Sequence, residues 1–135
     1  MHFARYSLTT IIDLTRGLMV SALQSSLSAI QAYSARIGAN SNNIANSATP
    51  EYKKTRVTLS DVQPTGVKAT TSKITEPGPV IYEQTTNGLE RIEQSNVDLG
   101  RELPEMMLNT HFFKANIKAL QTADELLGSV LDLKA

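Results

Sequence analysis

Side chains able to do chemistry are few and scattered in this sequence. The 135 residues include two histidines and no cysteine, so the chain has no thiolate nucleophile and no cysteine metal site. Neither His2 nor His111 has an acidic or histidine neighbour three or four residues away, the spacing that a metal site on one helix requires. The sequence therefore predicts no catalytic and no metal-binding histidine.

The acidic side chains do not form an acid-base pair either. Glu102 and Glu105 are predicted to lie on the solvated first turn of a helix, where carboxylates complement the positive end of the helix dipole. The chain contains no glycine-rich phosphate loop and no nucleophile elbow. We expect a protein that is not an enzyme and that uses no cofactor and no small-molecule substrate.

Length and charge further narrow the class of protein. A chain of 135 residues suffices for one modest core. Its 13 basic and 13 acidic side chains cancel, so no broad positive field is present to hold nucleic acid. We expect no nucleic-acid partner.

The N-terminal part reads as a long helix. From Val20 the apolar residues recur at alternating steps of three and four, which is the spacing of a heptad seam. Ser34 and Ser41 occupy intervening seam positions, and Pro50 excludes the helical conformation just before it. The predicted helix covers residues 19–46, and its proposed assembly contacts are Leu23, Leu27, Ile30, Ile37 and Ile44.

Residues 47–95 form a β-rich insert with connecting loops, because Thr, Val, Gly and Pro replace Ala, Ser and Leu there. Three strands are predicted, at Arg56–Leu59, Val67–Ile74 and Val80–Thr85. The insert is too small to be read as an independent domain.

The three-four alternation returns from Leu99, which predicts a second helix within residues 96–133. A capping box at Ser95–Asp98, or Asp98 alone, would start it. Thr110 and Asp124 occupy seam positions, where either the register drifts and they face solvent or they make a register-setting polar contact. The proposed assembly contacts of this helix are Leu103, Phe113, Ile117, Leu120, Asp124, Leu127 and Leu131.

The predicted fold is mainly α, with a long antiparallel pair of N- and C-terminal helices that resembles a coiled coil and forms one discontinuous domain. Met107, Phe112 and Leu126 lie beside the seam, which favours further protein contacts. Residues 1–18 are interpreted as a leader. Asp13 and Arg16 interrupt its apolar stretch, so it is neither a signal peptide nor a membrane span, and we expect the biological start at Met19.

Two segments resemble the signatures of the flagellar axial proteins, the rod and hook family. Residues 42–53, read as NNIANSATPEYK, are similar to the N-N-I-A-N-x-x-T-P-G-Y-K pattern of that family. Residues 95–99, 115–116 and 121–127 resemble its C-terminal signature. Glu51 departs from the usual glycine, and Pro104 lies inside the second helix. The motif positions that match are Asn43, Ile44, Ala45, Asn46, Thr49, Pro50, Tyr52, Asn96, Val97, Asp98, Thr122, Ala123 and Asp124.

The resemblance implies a structural subunit of the flagellar basal-body rod, most similar to a small proximal-rod protein because the insert is short. It implies helical assembly into a hollow tube that transmits torque across the periplasm. The implied partners are copies of the chain, other rod proteins and the flagellar type III export apparatus, which exports subunits without a cleaved signal. The alternatives are a cytosolic coiled-coil adaptor or export chaperone, and a small hydrolase that uses Asp or Glu.

Overall fold

The computed structural model describes residues 8–86 and 88–132. It contains two helices and four strands, and the strands pair into two separate antiparallel hairpins. In chain order the elements are α1 (Leu8–Ala45), β1 (Thr55–Asp61), β2 (Val67–Lys73), β3 (Val80–Thr85), β4 (Gly88–Glu93) and α2 (Leu99–Asp132).

Helix α1 already begins at Leu8, ahead of Met19, so residues 8–18 continue the helix that carries the predicted seam. The carbonyl groups at its C-terminal end accept hydrogen bonds from nearby side chains. The Asn46 side-chain amide donates to the Asn42 carbonyl at 2.9 Å, and the Ser47 hydroxyl donates to the Ile44 carbonyl at 2.9 Å. The same two carbonyls also accept the backbone N–H groups of Asn46 and Ser47, so local bonds close the last turn and the helix ends before Pro50.

Hairpin β1–β2 packs on α1, which contacts both of its strands. Its register runs from Thr55↔Lys73 to Asp61↔Val67. The β1 side chains that alternate toward the helix are shielded, with Val57 buried, while those on the other face are exposed. Two α1 side chains also reach the hairpin backbone: the Ser28 hydroxyl accepts from the Val67 N–H at 3.0 Å, and Arg36 Nε donates to the Val57 carbonyl at 3.3 Å.

Hairpin β3–β4 projects from the rest of the protein. Within the described residues its two strands contact each other and no other helix or strand. Its base is held by backbone bonds, from the Glu51 N–H to the Glu93 carbonyl at 2.9 Å and from the Gln94 N–H to the Pro79 carbonyl at 2.7 Å. Most side chains of both strands are exposed, so the hairpin has no core of its own.

Helix α2 begins after Asp98, whose carboxylate accepts from the Gly100 N–H at 2.9 Å and whose carbonyl accepts from the Glu102 N–H at 3.0 Å. Asp98 alone is therefore the N-cap, because the Ser95 hydroxyl accepts from the Val97 N–H at 3.2 Å instead of closing a capping box. The helix continues through Pro104 to Asp132.

The predicted fold class, mainly α with a long antiparallel pair of terminal helices, is wrong: the structure has two helices together with four antiparallel strands. The strand content was underestimated because β4 was missed and β1 is longer than predicted. Charged side chains occupy Glu90, Arg91 and Glu93 of β4, and such residues are depleted in strands. They are tolerated in this strand because its hairpin projects into solvent.

The core of the described residues is small and mixed. The fully buried apolar side chains are Ala29, Ala32, Ala39 and Val57. The fully buried polar ones are Asn40, Asn43, Ser95, Glu102 and Asn109. Neither helix, over its described length, is long and apolar enough to cross a membrane. The buried polar side chains, not the apolar ones, make the most specific contacts of this core.

A buried polar junction as the candidate functional site

Four buried side chains from the two helices form a hydrogen-bonded cluster, called here the polar junction: Asn40, Asn43, Glu102 and Asn109. One carboxylate oxygen of Glu102 accepts from the Asn40 amide at 2.7 Å and from the Asn43 amide at 3.2 Å. The side-chain oxygen of Asn40 accepts from the Asn109 side-chain amide at 2.9 Å. The cluster therefore joins the end of α1 to the first turns of α2.

Helical spacing explains why these four side chains meet. Asn40 and Asn43 are three residues apart on α1, and Glu102 and Asn109 are seven apart on α2, so each pair shares one helix face. The small side chain of Ala39 beside them leaves room for the second helix. The flanking contact between the helices is aromatic, since the rings of Tyr33 and Phe112 stack with centroids 5.3 Å apart.

Asn43 also binds the β segment through both backbone groups of one residue. The Thr55 N–H donates to the Asn43 side-chain oxygen at 2.8 Å, and the Asn43 amide donates to the Thr55 carbonyl at 2.9 Å. The Tyr52 hydroxyl donates to the same oxygen at 3.2 Å. Asn43, only 1% exposed, thus takes the place of a neighbouring strand at the free edge of β1 and ties that edge to the junction.

Asn96 makes a second connection of this kind just before α2. Its side-chain oxygen accepts from the Lys54 N–H at 2.7 Å, and its amide donates to the carbonyls of Ile74 and Glu76 at 2.9 and 2.8 Å. Two motif asparagines, Asn43 and Asn96, therefore hold consecutive residues at the start of β1. Together they fix how the helices meet the hairpins.

An ion pair reinforces the base of the projecting hairpin. Lys53 Nζ donates to Glu93 Oε1, and the Gly78 N–H donates to the same oxygen at 2.9 Å. These two bonds, Lys53 first, hold the pKa of the Glu93 carboxyl below its usual value because they favour the charged form. Gly78 has no space for a side chain, since a Cβ would overlap the Gln94 carbonyl.

A groove of about 410 Å³ lies over the polar junction, between α1, β1 and the start of α2. Its walls carry charges of both signs, among them Arg56, Arg101, Asp98 and Glu105. Every buried side-chain nitrogen and oxygen among the described residues has a hydrogen-bond partner, and no group of three or more acidic or histidine side chains there is placed to hold a metal ion. Because its polar atoms are hydrogen-bonded to one another, the junction is suited to holding the two helices in one arrangement.

Three of the predicted assembly contacts are exposed in the structure. Leu27 and Leu103 are 50% and 46% exposed, and Asp124 is exposed, so these three do not lie in the contact between the helices. The shielded face of α1 instead follows Ala29, Ala32 and Ala39, because small residues let the hairpin and α2 approach closely. The predicted positions that are half-buried are Leu23, Ile30, Ile37, Ile44, Phe113, Ile117, Leu120 and Leu127. The side chain of Leu131 lies outside the described part of the chain, as does His2. Whether any of these residues meets a neighbouring subunit stays a prediction.

Polar contact between the helices exists, but at other residues than Thr110 and Asp124. The Thr110 hydroxyl donates to the Met106 carbonyl of its own helix at 2.8 Å, whereas the adjacent Asn109 bonds across to Asn40. The prediction that Glu102 lies on a solvated turn is wrong, because its side chain is buried and accepts from two α1 amides. Only its neighbour Glu105 is exposed as expected.

The remaining motif residues shape the link from α1 to β1. The Thr49 hydroxyl donates to the Asn46 side-chain oxygen at 3.2 Å, and the Tyr52 N–H donates to the Thr49 carbonyl at 3.3 Å. Glu51 adopts φ 58°, the left-handed conformation that glycine accepts most readily, at the position where it departs from the glycine of the pattern. Ile44, Val97 and Ala123 are half-buried, while Ala45, Pro50 and Thr122 are exposed.

Sequence reasoning missed three of the four junction residues as a group. Asn40 and Asn109 were not singled out, and Glu102 was assigned to solvent. Their signal was the spacing itself: amide and carboxylate side chains three and seven residues apart interrupt the apolar face of each helix. When each of two helices has a polar interruption of this kind, the polar side chains of one helix are expected to bond to those of the other.

Comparison with known proteins agrees with this architecture over the C-terminal third. Residues 90–133 match the family model described as the C-terminal region of the flagellar basal body rod FlgEFG proteins. The flagellar hook proteins FlgE of Helicobacter pylori strains 26695 and J99 are each 43% identical to the chain over 44 residues, which is 33% of this chain and 6% of theirs. These matches support the resemblance drawn from the sequence: over residues 90–133 the chain is similar to the C-terminal region of flagellar rod and hook proteins.

Proposed function

We propose that this chain is a structural subunit of the flagellar basal-body rod, assembling with its own copies into a hollow axial tube. The match covers only 6% of the length of those hook proteins, so the support for this role comes from the chain's own residues. The observation that carries the proposal is an exposed apolar stripe on α2, called here the outer stripe: Leu108, Phe112, Ala115, Ala119 and Leu126.

The outer stripe repeats at the three-four spacing of a helical seam, with Thr122 completing it, and all of its members are exposed. Leu108 and Leu126 are 54% and 50% exposed, and Phe112, whose ring stacks on Tyr33 of α1, is still 43% exposed. It lies beside the shielded stripe that includes Asn109, Phe113 and Leu120. A helix with one stripe on its own chain and a second stripe in solvent is suited to pack a neighbouring helix as well.

A stripe of this kind favours an axial subunit over a soluble adaptor. Contacts between different surfaces of identical subunits do not close on themselves and so build an extended assembly. The polar junction suits the same role, because it fixes how the helices are joined to the hairpins and lets the subunit transmit torque without changing shape. A cytosolic adaptor or export chaperone would bury the outer stripe in a closed dimer.

Rod placement is favoured over hook placement by the short segment between the two motif regions, which holds two hairpins and no larger domain. The rod would place the chain across the periplasm, and export by the flagellar type III apparatus without a cleaved signal would bring it there. The hook remains the second candidate, because both similar relatives are hook proteins.

The test is one substitution in the outer stripe beside a matched one outside it. Ala119→Asp adds one negative charge within the stripe. Gln121→Asp adds the same charge two residues away, roughly 160° around the helix at about 100° per residue. Both side chains are exposed, so neither change should unfold the subunit.

Incorporation is measured as the amount of each variant in purified basal bodies beside the amount secreted into the medium. We expect the Ala119 variant to be secreted and absent from basal bodies, because a buried unpaired charge costs several kcal/mol. The Gln121 variant should be incorporated normally. Normal incorporation of the Ala119 variant would show that the outer stripe is not an assembly surface.

A further inference from the structure

The two hairpins carry opposite charges on faces that no other helix or strand of the described residues covers. In hairpin β3–β4, Glu83 and Glu90 are directly opposite each other, and both are exposed. Like charges directly opposite on a sheet destabilise it. Neither glutamate has an ion-pair partner among the described residues.

The rest of this face is apolar. Ile81 and Ile92 form the next directly opposite hydrogen-bonded pair on the same side of the hairpin, because residues two apart on a strand point the same way. Ile81 is 39% exposed, although the hairpin contacts no other helix or strand of the described chain. This acidic face therefore carries two isoleucines and two glutamates, followed by Thr85 and Gly88, and no basic side chain.

The outer face of hairpin β1–β2 has the complementary composition. Arg56 and Lys68 lie on the face turned away from α1, with Thr58, Ser60 and two further small polar residues between them. Arg56 is at the edge of this face, where it also lines the groove over the polar junction. All are exposed, and the face has no acidic side chain. Within the described residues neither Arg56 nor Lys68 forms an ion pair.

We propose that the acidic face of β3–β4 in one copy docks on the basic outer face of β1–β2 in a neighbouring copy. The two faces belong to hairpins that do not touch within one chain, so they can meet only between copies. Arg56 or Lys68 would relieve the repulsion of the opposed glutamates, and the isoleucines would pack on the methyl groups of the threonines. Such a contact joins two different surfaces and so propagates along an assembly.

This inference rests on the proposed function and adds a contact that the outer stripe does not supply. Three variants test it: Glu83→Lys with Glu90→Lys, Arg56→Glu with Lys68→Glu, and all four changes together. All four side chains are exposed, so none of the changes disturbs a core. Arg91→Glu reverses a charge on the opposite face of β4 and is the control.

Each variant is quantified in purified basal bodies and in the culture medium. We expect each double variant to be secreted but incorporated about tenfold less or lower, because like-charge contacts oppose docking. The fourfold variant should recover incorporation, and the Arg91 variant should match the unmodified chain. Normal incorporation of either double variant overturns the contact. Failure of the fourfold variant to recover also overturns it, because the acidic face would then meet a different protein.

A second readout uses the absence of cysteine from the chain. Glu90→Cys with Lys68→Cys, treated with a short bis-maleimide in isolated basal bodies, should give a ladder of covalent multimers, while either single variant should not. An incorporated double variant that stays monomeric contradicts the docking. If the unmodified chain itself is missing from basal bodies, the proposed function fails. If the chain is present but the charge changes have no effect, only the hairpin contact fails.

Discussion

Replacement of Asn43 by alanine should destabilise the chain more than any other single change in the polar junction. The substitution removes two bonds to the Thr55 backbone, one to Glu102 and one from Tyr52. Each bond contributes about 1 kcal/mol net, and water replaces part of the bonding that the half-buried partners lose. We therefore expect the free energy of unfolding to fall by about 3 kcal/mol. That is a large share of the roughly 5 to 15 kcal/mol that stabilises a domain.

Urea unfolding followed by circular dichroism measures this loss as a lower midpoint at an unchanged slope. The matched control is Asn42→Ala, which removes the same side chain from the adjacent, exposed position of α1 and should cost less than about 0.5 kcal/mol. Equal effects of the two substitutions would refute the reasoning, because Asn43 would then carry no more than its exposed neighbour.

Three further perturbations act on the links around the hairpins. Glu51→Gly should raise the free energy of unfolding by up to about 1 kcal/mol in the same urea assay, because glycine accepts the left-handed conformation without strain. Gly78→Ala should speed hydrogen exchange at the Gln94 amide, because a Cβ would push the base of β3–β4 open. The pKa of Glu93 is lowered, so its contribution is present above the ordinary value of about 4.3 and is lost as pH falls through the folded value. The stability difference between the unmodified chain and Glu93→Gln should therefore be constant near neutral pH and vanish in acid; a difference that grows in acid would contradict the ion pair with Lys53.

The positions of the helices and of three strands could be predicted because the sequence repeats regularly there. The three-four alternation predicted both helices, and β3 lies where Val80–Thr85 predicted it. Strand β4 was missed because three of its six residues are charged, although Asn87-Gly88 is a strong hairpin signal in the sequence. A turn signal is thus more informative than strand composition when a hairpin carries no core.

The polar junction could not be assembled from the sequence, since its members come from both helices and the β segment. The motif resemblance singled out Asn43 and Asn96 without their roles, which depend on backbone groups of Thr55, Lys54 and Ile74. Periodicity placed the seam on half-buried positions of α1 such as Ile30 and Ile44, one residue away from the buried Ala29 and Asn43. It weights large apolar residues such as Leu27, whereas the contact is made where alanines allow close approach.

The proposed rod function depends on where the subunit resides in the flagellum. Antibody labelling of purified hook–basal bodies, viewed by electron microscopy, locates it directly, with fractionated cells showing how much stays in the cytosol. The account predicts label on the rod, between the membrane rings, and little of the chain in the cytosol. Label on the hook alone, or a cytosolic chain with none in the basal body, would contradict it.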